Sequence, residues 1–334
     1  MTYNPVFFEG DIAQEVHSAV IEANRTAERS LLRVEDNIKF SRVLTSISGE
    51  IAWQEYKEKI READIPALIA GNDWKLGDRR ITPAKMMAFD NVTLDQLRKT
   101  RFSRDMAPGA DNIGSSEFEK VATAHLVPRM GKSYEKLLYS SITASTKALI
   151  AASTTAPAGQ KAWAAAQTAF LFDGLVASMI LAGVEDATNA VKPASNPVAT
   201  AVNIAAIYAE LFAKIDAVEL ENGSVFIYAP LADFQLIVAA NQSKEFKDIF
   251  TVTGTGKTAV VTYNTVTIEF VPTPARFAGH GGEFGDFVHG TDLTSDTDSF
   301  KIDKVNNMGD DLFYKMVTTA CTTVLDAYRK VLAL

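Results

Sequence analysis

The chain has 334 residues, of which 47% are hydrophobic and 22% charged, and its formal net charge is −8. These values provide for a sizeable core, exclude global disorder, and suit two domains or one with large insertions. The acidic balance, without a basic patch, argues against direct affinity for nucleic acid, and a single cysteine excludes an internal disulfide framework.

The N-terminus "MTYNPVFFEGDIAQ" has neither the basic start nor the long apolar run of a signal peptide. The chain therefore reads as a soluble protein made in a cytoplasm. Residues 1–10 read as an extended arm carrying Phe7 and Phe8. A helix is expected next, capped by Asp11, with Ile12, Val16, Ala19, Val20, Ala23 and Ala27 on one apolar stripe. Residues 40–110 hold turn formers, short strand-like pieces and many charges, including Trp74, Arg79 and Arg80. Such a segment is a long loop, or a hairpin that finds its partner elsewhere.

Ser116 and Glu119 form a capping box. Behind them Phe118, Ala122, Leu126, Met130, Tyr134, Leu138 and Ile142 recur at every fourth position, which predicts a continuous helix from 116 to about 151. It would span about 50 Å, with Pro128 and Gly131 kinking or interrupting it. "STTAPAGQ" breaks the chain, "WAAAQTAFLFDGLVASMILAG" is buried material, and the prolines of "NAVKPASNPVA" mark a domain edge. "AVNIAAIYAELFAKIDAV" is helical, "SVFIYA" is a short strand, and Pro230 opens the helix "PLADFQLIVAAN".

"TVTGTGKTAVVTYNTVTIEF" follows, and Gly254–Thr258 resembles the end of a phosphate-binding loop. The leading glycine of that motif is missing, since Thr251 occupies its place. A phosphate loop also opens a helix, whereas Val266, Ile268 and Phe270 alternate with Thr265, Thr267 and Glu269. The stretch reads as a glycine-rich hairpin tip with Lys257 in water. Beyond it lie a loop-rich region, strands at "SFKID" and "DLFYKMVTTACTTVL", and a short terminal helix "DAYRKVL". The class is α+β.

Chemistry-bearing clusters are weak. His280, Glu283, Asp286 and His289 are metal-ligand residue types at no common zinc spacing. Asp292, Asp296, Asp298 and Asp303 lack the glycine and glutamate of the calcium loop. His17 and His125 read as helix residues, and Cys321 as a small packed hydrophobe. No catalytic, cofactor-binding or metal residue is assigned.

In the order of its parts the chain resembles the major capsid proteins of tailed bacteriophages, whose Hong Kong ninety-seven-type shell fold is shared with encapsulins and herpesvirus capsids. "RRITPAKMMAFDNVTLDQL" looks like the end of the family's extended loop, and "SSEFEKVATAHLVPRM" like the start of its spine helix. "NIAAIYAELFAKIDAVELENGSVFIYAPLADFQLIVAAN" is similar to the helix–strand–helix of the axial domain. "DFVHGTDLTSDTDSFKIDKVNNMGDDLFYKMVTTACTTVL" looks like the last strands of the peripheral domain. Two features depart from that pattern: Pro128 falls inside the spine, and no long charged scaffolding segment precedes the arm.

The resemblance implies a partition into an N-terminal arm and helix (1–40), an extended loop region (41–112), and the spine helix with the first part of the peripheral domain (113–190). The axial domain (191–285) and the second part of the peripheral domain (286–334) complete it. It implies a non-enzymatic subunit, without cofactor, that assembles in the host cytoplasm into the pentamers and hexamers of an icosahedral virion. Its partners would be copies of itself, scaffolding, portal and possibly decoration proteins, and packaged double-stranded DNA held without sequence-specific binding, with no membrane involved. An encapsulin-like compartment around enzyme cargo is the alternative. Phe7, Phe8, Trp74, Arg79 and Arg80 are the expected inter-subunit contacts, as aromatic or planar cationic side chains in segments without their own core.

Overall fold

The computed structural model describes residues 26, 29–48, 56, 59, 61, 75–93, 116–221, 225–242, 249–254, 259–282, 285–292, 300–304 and 311–334. The arm with Phe7 and Phe8, the stripe Ile12–Ala23 with Ala27, Trp74, Lys257, Glu283, Asp296 and Asp298 lie outside these residues, as do the side chains of His125 and Asp303.

The described chain is α+β. It begins with β1 (Arg33–Glu35), β2 (Arg42–Ser48), β3 (Lys75–Ile81) and β4 (Ala84–Thr93). Four helices follow: α1 (Ser116–Ser140), α2 (Ala144–Ala152), α3 (Ala158–Ala166) and α4 (Leu175–Glu185). Next come β5 (Lys192–Ala194), α5 (Ile204–Lys214), α6 (Ala217–Glu221), β6 (Val225–Pro230) and α7 (Leu231–Gln242). The remainder is β7 (Phe250–Thr253), β8 (Val260–Tyr263), β9 (Val266–Val271), β10 (Arg276–His280), β11 (Phe287–Gly290), β12 (Phe300–Lys304), β13 (Asp311–Val324) and β14 (Val331–Ala333).

The predicted long helix divides in two. α1 carries Pro128 without breaking, and 25 residues make it about 38 Å long. It ends instead at Ser140, where the Ser140 and Ser141 hydroxyls donate to the carbonyls of Lys136 and Leu137 four residues back. Asp173 completes the break by accepting from Thr143 N at 2.6 Å and Thr146 Oγ1 at 2.7 Å. Gly174 allows this approach, because a Cβ there would lie 2.9 Å from Ser141 N. α2 then restarts with Thr143 as its N-cap. The buried face of α1 is the one the sequence predicts: Tyr134 and Leu138 are buried on it, and Ile142 just beyond it.

Two principal sheets organise the body. In the first, the 14-residue β13 is the shared strand: Cys321–Val324 pairs antiparallel with β11, and Asp311–Ala320 with β4, with β12 along its other edge. β1 adds parallel to β11. The segment after β3 thus finds its partner more than 200 positions away. The second sheet has seven strands in the order β5-β14-β10-β6-β9-β8-β7. The expected terminal helix is instead a single 3-10 turn, Ala327–Arg329, followed by β14, which slots between β10 and β5. The β-branched and apolar "VLA" gains more from completing a sheet than seven residues gain from an isolated helix.

The cores follow this division. One packs α1–α4 against the first sheet and the near side of the second, with Leu175, Val176, Met179 and Ile180 of α4 fully buried. The other packs Ile204, Tyr208 and Leu211 of α5 and Ile237 of α7 onto β6, β9 and β10. Within the first core, Phe277 of β10 stacks on Tyr228 of β6 with ring centroids 4.6 Å apart and meets Phe287 of β11 edge-on at 5.5 Å, which ties strands of the second sheet to the first. A small third cluster, including Leu44, Ile81, Val288 and Leu325, seats the β2–β3 ladder on the body.

Candidate functional site

The segments that the sequence offers as outlying are anchored to the body at their roots. Thr26 donates through its backbone N (2.9 Å) and hydroxyl (2.6 Å) to Glu135 Oε1 of α1, and its hydroxyl lies 2.9 Å from Tyr139 Oη. Arg29 Nη1 lies 2.6 Å from Glu269 Oε1 on β9. The Tyr228 hydroxyl donates to Leu31 O at 3.0 Å. Thr26 and residues 29–32 therefore bridge α1 and the second sheet, and Leu31 and Leu32 are buried there.

The stem of the extended region shows two faces, as strand alternation requires. Arg79 turns inward and its Nη1 lies 2.6 Å from Glu185 Oε2, at the end of α4, so this side chain has a partner within its own chain. Arg80 is exposed on the other face. Nearby, Phe40 is 86% exposed, and Phe89 of β4 is exposed while stacking on Phe313 at 5.6 Å. At the opposite core, Val198 and Val202 ahead of α5 are 87% and 90% exposed. Apolar side chains left so open suit burial against another surface.

Two polar clefts flank the stem, of 290 and 430 Å³, and share Asp78, Arg79 and Glu185. Cys321 borders the larger, but its thiol donates to Gly290 O at 3.4 Å, and burial pushes its pKa up to about 12. It is the inert packed thiol the sequence predicts.

The stretch resembling a phosphate loop connects β7 to β8, which pair antiparallel with Thr253 opposite Val260. Gly254 adopts φ 88°, a turn conformation, and the chain continues as β8 and β9 rather than as a helix. Among the described residues, no helix N-terminus follows Gly254 to face a phosphate.

Of the four ligand-type residues at 280–289, His289 is committed to another role. His289 is buried, with Nδ1 3.1 Å from Cys321 O and Nε2 2.9 Å from Tyr134 Oη. A carbonyl only accepts, so Nδ1 carries the proton and Nε2 accepts from the tyrosine hydroxyl. Desolvation lowers the pKa of this imidazole from its ordinary 6.5 to about 4, and raises that of Tyr134. Because the unfolded chain takes up the proton first, stability is present above pH 6.5 and is lost as pH falls towards 4. Unfolding titrations with urea at pH 7.5 and pH 5 should differ by about 2 kcal/mol from this residue alone. His289→Gln should remove that component, and an unchanged pH slope would refute it.

No family model matches the sequence, and no curated protein is similar to it. Solved structures do match. A chain of the satellite phage P4 procapsid, solved with its size determination protein, aligns over 96% of this chain and 98% of its own, at 11% identity and a TM-score of 0.54. A chain of Gordonia phage Cozz aligns over 100% of this chain and 88% of its own, at 8% identity and a TM-score of 0.49. The virus-like particle of Pyrococcus furiosus aligns over 96% and 98%, at 9% and 0.45. With the spine helix, the two-sheet body and the β4 excursion in place, the chain has the capsid-subunit fold that the order of its parts in sequence resembles.

Proposed function

We propose that this chain is the structural subunit of an icosahedral phage shell, assembling into pentamers and hexamers around double-stranded DNA. The observation that carries the reading is the agreement in fold with the P4 procapsid chain along nearly the full length of both. The exposed Phe40, Val198 and Val202 support it, since head-to-tail contacts between copies would cover them. The seven-stranded sheet with α5–α7 serves as the axial domain, and the five-stranded sheet with α1–α4 as the peripheral domain. Phe7, Phe8, Trp74 and Arg80 contact neighbouring copies. Arg79 positions the stem through Glu185 in its own subunit.

A shell needs many modest contacts that remain reversible during assembly. Arm and extended loop add to a standard interface of about 1,600 Å². The net charge of −8 suits a container whose wall must not hold DNA tightly. Scaffolding, portal and decoration proteins would complete the particle, built in the host cytoplasm.

Expression followed by negative-stain microscopy should show closed particles, and deletion of residues 1–10 should leave the subunit folded but abolish them. Normal particles from the deleted chain would refute the role of the arm, and an exclusively monomeric full chain would refute the shell. Nuclease-protected DNA supports a virion, whereas particles holding only enzyme cargo favour a compartment.

A further inference from the structure

Among the described residues, one lysine is buried completely. Lys330 lies between the last 3-10 turn and β14, and its stem crosses Gly279 of β10. A Cβ at Gly279 would come within 2.6 Å of both Lys330 Cδ and Phe287 Cζ, so glycine alone leaves room for this path. Lys330 Nζ ends 2.5 Å from Asp286 Oδ2 and 3.0 Å from Glu219 Oε2. Asp286 lies in the turn before β11, and Glu219 is buried on α6. Glu219, His280 and Asp286 converge so closely that their ligand atoms lie within 4.8 Å of one another. That geometry would suit a cation, and the Lys330 ammonium already contacts both carboxylates.

A wholly buried primary amine pressed against one half-buried carboxyl group, with a second, buried carboxylate on the same nitrogen, has the elements of amide formation. Reaction needs nitrogen and carboxyl carbon about 3–3.5 Å apart, and a 2.5 Å contact to the attached oxygen brings them near that range. A fixed second carboxylate acts as the proton carrier.

We propose that Lys330 and Asp286 condense into an intrachain amide bond, with Glu219 moving the protons. One ammonium proton passes to Asp286, leaving an amine and a carboxylic acid. The nitrogen lone pair attacks Asp286 Cγ and the C–N bond forms. Glu219 takes a second proton from the nitrogen and hands it to the departing hydroxyl. The C–O bond breaks, water leaves, and Glu219 returns to its carboxylate. An ammonium and a carboxylate thus become an amide and one water, with no other reactant. The bond ties β14 of the seven-stranded sheet to the turn before β11 of the five-stranded one. It stands independently of the shell reading.

Intact mass spectrometry of the purified full-length chain, denatured before injection, tests this directly. The expected mass is that of the sequence less one water, with tandem spectra locating the loss to a branched peptide joining Lys330 and Asp286. Lys330→Arg, which keeps the charge, should show its full mass. Asp286→Asn should expel ammonia instead and reach the same mass as the bonded natural chain. Glu219→Gln should slow bond formation by about a hundredfold or more. A full-mass natural chain, both fresh and after prolonged incubation just below its unfolding temperature, overturns the proposal. Bond formation at an undiminished rate in Glu219→Gln overturns the role of that residue.

Discussion

Replacing Arg276 with alanine should destabilise the protein by about 3–5 kcal/mol, the cost typical of leaving a buried charge without its partner. Arg276 on β10 grips Asp233 of α7 with two bonds, Nε to Oδ2 at 2.6 Å and Nη2 to Oδ1 at 2.9 Å. The Tyr208 hydroxyl of α5 donates to the same carboxylate at 3.0 Å, and Arg276 Nη1 also bonds Asn196. Burial, and then Asp233, raise the pKa of that tyrosine well above its usual range, so it remains a donor. Arg276 and Asp233 are 6% and 2% exposed, so water cannot replace the lost guanidinium. Replacing both residues with apolar ones of similar volume should recover much of the loss, since desolvation offsets most of the attraction of a buried pair. Urea unfolding of the two variants checks both statements. A loss under about 1 kcal/mol for the single substitution would mean that the carboxylate is reached by solvent.

The second large effect is expected at Phe277. Its ring is wedged between Tyr228, Phe287 and Tyr139, which belong to β6, β11 and α1. Phe277→Ala removes the shared side of all three contacts and should cost about 3–5 kcal/mol. Because these rings join the second sheet to the spine and the first sheet, the two cores should also uncouple. Hydrogen exchange would then show the helix–sheet packing of α5 and α7 persisting while the protection of β11 and α1 falls. A uniform loss of protection over both cores would show that they unfold as one unit in either protein.

His289 illustrates how context reassigns a residue. In sequence it stands in a loop-rich, ligand-like cluster with His280 and Asp286. In the structure it is part of a buried strand, and both ring nitrogens are consumed by Tyr134 and Cys321 O, 155 and 32 positions away. No local pattern announces such a partner.

The periodic features were legible from residues alone. The every-fourth-position face of α1 and the period of two in β9 depend on contacts within a few residues, which the chain carries wherever it folds, whereas Pro230, expected in the first turn of α7, is the last residue of β6, one position ahead of that helix. The same local chemistry rules out a phosphate loop at Gly254, because β-branched residues follow where a helix must start. What tertiary structure decided was which strands meet, what covers a strand's second face, and where charges are neutralised. Glu269 alternates with the apolar residues of β9, yet it is buried and held by Arg29. The terminal "VLA" became a strand because an open edge of β10 was waiting. Lys330 falls in the short terminal helix the sequence predicts, and only the packing of distant elements buried it against Asp286 and Glu219. Local propensity is fixed by neighbours in sequence, whereas burial and pairing energies exist only once remote segments have excluded water together.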